Sequence, residues 1–80
     1  MFELVQYSRD NCPGCVRMDV YLRNNTDIHV EDRHIDTLYE LGLQVQAVPV
    51  LVLLRDGEID DFSIGFRPNE IDELLAKVDK

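Results

Sequence analysis

The apolar residues change their spacing along this chain, and each change predicts an element. Phe2 to Tyr7 is a short β-prone run, and Ser8 to Asn11 is a polar turn. From Pro13 to about Asn24 the apolar positions recur at helical spacing, Val16 and Val20 on one face and Met18, Tyr21 and Leu22 on the next. Asn24-Asn25-Thr26-Asp27 breaks that helix. Ile28-His29-Val30-Glu31 alternates, as a strand with one wet face does. Thr37-Leu38-Tyr39-Glu40 has capping-box spacing and predicts a short helix ending at Gly42. Val48 to Leu54 is almost wholly apolar, which predicts a central strand covered on both faces. Asp56-Gly57 is a hairpin signal, and Ile59 to Ile64 is the returning strand.

The last helix has the clearest pattern. Pro68 suits its first turn, where a missing N–H costs nothing. Ile71, Leu74, Leu75 and Val78 form one apolar stripe. Glu70, Asp72 and Glu73 sit near its positive end and Lys77 and Lys80 near its negative end, as the helix dipole favours. The order is therefore β-α-β-α-β-β-α. A parallel βαβ half followed by a β-hairpin half gives a four-stranded mixed sheet flanked by three helices, the α/β layout of a minimal thioredoxin fold. At 80 residues, 1–80 reads as a single domain.

Charge narrows the partners. Sixteen acidic residues against eight basic leave a net charge of −8, which repels phosphate backbones and anionic membrane surfaces. Neither nucleic acid nor membrane is an expected partner, whereas a basic surface on a protein would suit the chain. No apolar run approaches the ~20 residues of a membrane span, and the N-terminus lacks the features of a signal peptide. Two cysteines are too few for a secreted disulfide scaffold, so a monomer in the reducing cytoplasm is expected.

Those two cysteines carry the chemistry. Cys12-Pro13-Gly14-Cys15 follows the first strand and opens the first helix, a setting in which Cys-x-x-Cys reads as a dithiol redox site. Backbone N–H groups and the dipole at a helix N-terminus favour a Cys12 thiolate. Arg9 would add to that effect and Asp10 oppose it. Cys15, one turn deeper beside Val16 and the apolar face, is expected to be more buried. Cys12 is then the nucleophile and Cys15 the resolving thiol, with a redox-active disulfide in place of any cofactor. Pro13 fixes the backbone at the helix start, and Gly14 leaves the rim open to a large partner.

Val48-Pro49 is the second marker. Proline cannot donate to a sheet ladder, so one placed before a central strand needs a special reason. In this fold class the reason is a cis X-Pro turn packed against the disulfide, with Val48 offering backbone groups to an extended substrate segment.

With these motifs in hand, the chain resembles the NrdH-type redoxins, glutaredoxin-like proteins with thioredoxin-like activity. The resemblance rests on Cys-x-x-Cys after strand one, Val48-Pro49 before strand three, and Gly65-Phe66-Arg67-Pro68 before the last helix. Asn69 stands where that family has an acidic residue, and Phe62 lies near the place of its tryptophan. The resemblance implies a thiol–disulfide oxidoreductase that passes electrons to ribonucleotide reductase and is recharged by thioredoxin reductase. It also implies that Gly65, Phe66 and Arg67 support the site from the last helix, though Phe66 reads most simply as core, with contact to a partner as the alternative, and Arg67 reads equally as half of a surface ion pair.

Three other readings compete. A glutathione-dependent glutaredoxin shares the dithiol, but no basic cluster for the carboxylates of glutathione is recognisable. Cys12-x2-Cys15-x13-His29-x4-His34 meets a zinc-finger spacing. Against a metal site, the two histidines have opposite parity in an extended run and the charge disfavours a DNA partner. A non-catalytic interaction domain with a vestigial motif is the third.

Overall fold

In the computed structural model, which describes residues 1–78, the element order is the one the pattern predicts. It runs β1 (Phe2–Ser8), α1 (Pro13–Asn25), β2 (Val30–His34), a 3-10 helix (Ile35–Leu41), β3 (Val50–Arg55), β4 (Glu58–Ile64) and α2 (Pro68–Val78). The four strands form one mixed sheet in the order β2-β1-β3-β4. β1 and β2 run parallel, while β3 is antiparallel to both β1 and β4. Lys80 lies outside the described residues, so only Lys77 stands in the last turn of α2.

The sheet separates two cores. Leu4, Leu51 and Leu53 face α1 and α2, where Met18, Leu22, Ile71, Leu74 and Leu75 cover them. Val5, Tyr7, Val50, Val52 and Leu54 face the other way, against Ile35 and Leu38 of the 3-10 helix. Adjacent residues of β1 and β3 thus serve opposite layers, and this is why β3 is apolar at five successive positions. Asp56 and Gly57 both take positive φ in the β3–β4 turn, as an Asp-Gly hairpin requires.

Two local expectations are corrected, and a choice the pattern left open on α1 is decided. Of its two apolar faces, that of Val16 and Val20 is 64% and 46% exposed at those residues, while α1 buries Cys15, Met18 and Leu22. The helical period admits two apolar stripes on α1, and the sheet covers only one of them. β2 begins at Val30, so His29 precedes the strand. The Thr26 hydroxyl accepts the Ile28 N–H at 3.1 Å and holds residues 26–28 in a turn. As the sheet-edge strand, β2 carries a mostly polar sequence that hides its pairing. The capping box at Thr37 is not formed either. His34 caps the 3-10 helix by accepting the Asp36 N–H at Nδ1, and Thr37 lies inside it, its hydroxyl donating to the His34 carbonyl. Gly42 closes that helix with φ +85°, as predicted.

Candidate active site

The site is built where β1 hands the chain to α1. Asn11 takes φ +57°, a left-handed conformation that asparagine tolerates, and turns the chain to deliver Cys12 as the N-cap of α1. Pro13 follows in the first turn, where its missing N–H is no loss. The Cys15 N–H points back at the Cys12 side chain, with N to Sγ at 3.1 Å. The Cys12 carbonyl accepts from Cys15 at 3.1 Å and from Val16 at 3.3 Å. Cys12 and Cys15 are joined in a disulfide, their Cα atoms 5.2 Å apart. Cys12 is half-buried, whereas Cys15 is only 6% exposed.

Pro49 meets this turn from the sheet. A Cβ placed on Gly14 would lie 3.3 Å from Pro49 Cδ, so the two residues are packed against each other. The Val48–Pro49 peptide bond is cis, and Pro49 is buried. Val48 is half-buried and its side chain packs on the core of the opposite face. The Pro49 carbonyl accepts the Gly65 N–H at 2.7 Å, extending the β3–β4 ladder beyond the Val50–Ile64 pair. Gly65 has φ +85°, which turns the chain from β4 toward α2.

The remaining residues of that segment sit further out. Phe66 stacks edge-to-face on Tyr21 of α1, with ring centroids 5.7 Å apart, and packs on the α1–α2 core. The Tyr21 hydroxyl donates to Asp72 of α2, and that hydrogen bond holds its proton more firmly than usual. The Arg67 side chain is exposed and pairs with Glu70 at 3.3 Å. Glu70 in turn accepts from the buried Ser63 hydroxyl at 3.1 Å. Arg67 therefore braces the start of α2 rather than bonding to the cysteine turn. Arg9 is exposed in the β1–α1 loop, where it lines a cavity of about 470 Å³ beside the disulfide.

Sequence reasoning missed the far wall of that cavity. Gln6 is buried between Leu51 of β3 and Asp32 of β2, and its amide Nε2 donates to the Cys15 carbonyl at 3.0 Å. The Ser8 hydroxyl donates to Asp32, and Arg33 donates to the Tyr7 hydroxyl, so β2 is laced to β1 by side chains; Arg33 also donates to Glu31 within β2. A glutamine inside the apolar β1 run was the one available signal for Gln6. The β1–β2 ties connect residues far apart in the chain, and no local pattern announces them.

A disulfide at a helix N-terminus, one sulfur accessible and the other buried, with a cis proline packed on the intervening glycine, defines a dithiol–disulfide oxidoreductase of the thioredoxin fold. Comparison with known proteins agrees. No family model matches the chain. It is 34% identical to the SPbeta prophage-derived thioredoxin-like protein YosR of Bacillus subtilis (strain 168) over 80 residues, covering 94% of this chain and 96% of that protein. Solved structures share the fold. A poplar thioredoxin h superposes with a TM-score of 0.74 at 21% identity, over 99% of this chain and 78% of that one. The mitochondrial thioredoxin 3 of Saccharomyces cerevisiae superposes with a TM-score of 0.75 at 19% identity, over 95% and 77%. The chain belongs to the thioredoxin-like proteins.

Proposed function

We propose that this chain is a dithiol electron donor to a protein disulfide, acting as a single-domain monomer in the cytoplasm, with Cys12 as nucleophile and Cys15 as resolving thiol. The observation that carries the reading is the Cys15 N–H aimed at Cys12 Sγ. In the reduced protein the same amide, with the positive end of α1 behind it, stabilises a Cys12 thiolate. That thiolate attacks a partner disulfide, forming a mixed disulfide and expelling one partner thiolate. Cys15 then loses its proton and attacks Cys12 Sγ; the second partner thiolate leaves and is protonated, and the Cys12–Cys15 disulfide remains. Val48 and Pro49 form the edge on which an extended substrate segment lies, and Gly14 leaves that edge open. Gly65 supports it through Pro49.

The partner follows from the NrdH-like segment Gly65-Phe66-Arg67-Pro68. On that resemblance the disulfide served is that of ribonucleotide reductase, and thioredoxin reductase, not glutathione, restores the dithiol. Net charge −8 supports a partner that docks through a basic surface. The test is NADPH consumption with thioredoxin reductase, set against consumption with glutathione and glutathione reductase. Turnover with the first is expected; turnover only with the second would replace this reading by that of a glutathione-dependent glutaredoxin.

A further inference from the structure

Gln6 occupies a position that packing alone would give to an aliphatic residue. It lies between Leu4 and the end of β1, opposite Leu51 across the β1–β3 ladder, and is 5% exposed. Burying an amide there costs free energy unless each end finds a partner. The Cys15 carbonyl has no proton to give, so the amide must turn Nε2 toward it, and the 3.0 Å bond is made that way. Oε1 is then the free end. Among the described residues it accepts no hydrogen bond, and it is not sealed in the core, because Gln6 lines the cavity that also holds Cys12 and Cys15.

We propose that Gln6 is a positioning residue for the resolving cysteine. It ties the Cys15 carbonyl to the sheet and so holds the first turn of α1, and with it Cys15 Sγ, in register for attack on Cys12. It does so with a group that carries no charge at any working pH. The inference rests on the proposed roles of Cys12 and Cys15. The step concerned is closure: the Cys15–Cys12 S–S bond forms, the bond from Cys12 to the partner sulfur breaks, and the proton leaving Cys15 ends on the partner thiol. Holding reacting atoms in line governs the rate of such an intramolecular step. The charged groups around the cavity are Arg9 and Asp10 from the loop, Asp19 from α1, and Asp32, Arg33 and His34 from β2. Leu51, which faces Gln6 from β3, contributes none.

The experiment uses the reduced full chain and cystamine, with acid quenching and mass spectrometry to separate attack from closure. Gln6→Leu should leave the rate of adduct formation at Cys12 within about two-fold of wild type. Closure should slow by roughly five- to ten-fold, the effect of one lost hydrogen bond, so that the adduct accumulates. Gln6→Glu keeps the size and adds a proton that can leave. Its carboxyl bonds the Cys15 carbonyl only when protonated, so the ratio of its closure rate to that of wild type should fall as pH rises through the carboxyl's titration. Comparison at equal pH cancels the titrations that the two proteins share, and Gln6→Leu, which adds no charge beside Cys15, separates loss of the hydrogen bond from any effect of the new carboxylate on the thiol. Should Gln6→Leu fail to fold, the Gln6→Glu profile decides alone. Closure by Gln6→Leu at the wild-type rate, or a flat Gln6→Glu ratio, would overturn the assignment of Gln6 and leave the oxidoreductase reading standing. A wild type that forms no adduct at Cys12 would overturn that reading and this proposal together.

Discussion

The Gly65 N–H donates to the Pro49 carbonyl at 2.7 Å, and this bond fastens the turn before α2 to the residue that packs on Gly14. Gly65 makes it from a left-handed conformation, φ +85°, with open space where a Cβ would stand. The cost of a side chain here is therefore conformational and not steric. Gly65→Ala should lose about 1 kcal/mol, a fall in Tm of roughly 4–8 °C for a domain of this size. Thermal melting followed by circular dichroism checks this; an unchanged Tm would show that the turn relaxes without cost.

Gly14 is constrained differently, by its neighbour. Alanine would gain up to about 1 kcal/mol of helix propensity, but its methyl would meet Pro49 Cδ at 3.3 Å, a contact tight enough to cancel much of that gain. Gly14→Ala should therefore stay within about 1 kcal/mol of wild type, the helix-propensity gain set against the crowded contact. Gly14→Val places further methyls at the crowded turn and should be less stable than Gly14→Ala. It should also slow the reduction of a protein disulfide such as insulin more than that of a small disulfide, because the obstruction lies on the edge a chain must approach. Parallel assays of the two substrates measure this.

The two apolar stripes of α1 should respond in opposite ways. Met18 is fully buried between sheet and helices, so Met18→Ala should cost about 2–5 kcal/mol. Val16 is 64% exposed, and Val16→Ser should change stability by no more than about 0.5 kcal/mol. Urea midpoints of the two variants, taken with unchanged m-values, distinguish the stripes.

Lys77 ties α2 to β4, reaching Asp61 at 2.8 Å and Asp60 at 3.9 Å. Its hydrogen bond lowers the Asp61 carboxyl below the ordinary range, and Asp61 in turn raises the Lys77 ammonium. Depressed in the folded state, Asp61 stabilises the fold above its unfolded value of about 3.9 and loses that contribution as pH falls through its lower folded value. Lys77, raised, contributes below about 10.4 and loses it as pH rises through its higher folded value. Lys77→Met should therefore melt below wild type at pH 7 in low salt. The difference should begin to close below about pH 4, close fully only below the lowered Asp61 value, and shrink near 1 M salt, where exposed pairs are screened. A gap that persists in acid would assign the effect to packing of the lysine stem.

Much of this was legible in the chain because its strongest signals are local. The apolar run of β3 and the period of α2 each report burial on a scale of one element. Asp56-Gly57 and Cys12-Pro13-Gly14-Cys15 each specify a turn by the chemistry of adjacent residues. What was misread or left open depends on partners remote in sequence. The stripe of Val16 and Val20 has the same period as that of Met18 and Leu22, and only the position of the sheet decides between them. β2 is an edge strand whose polar residues pair with β1, so its start follows from that pairing and from the Thr26 turn, not from alternation. At the site, the cysteines and Pro49 stand out by residue type. Gln6 acts through the backbone of a residue nine positions away, a contact created only when α1 packs on β1.

The most direct test of the account is the species that Cys15→Ser forms with a disulfide substrate. The reduced variant, incubated with an excess of insulin or cystamine and acid-quenched, is mapped by mass spectrometry for the site of the adduct. A stable mixed disulfide on Cys12 is expected, together with loss of catalytic dithiol turnover, while Cys12→Ser should react with neither substrate at a comparable rate. Full turnover by Cys15→Ser, or ready formation of an adduct at Cys15 in the Cys12→Ser protein, would contradict the assignment of Cys12 as the attacking thiolate.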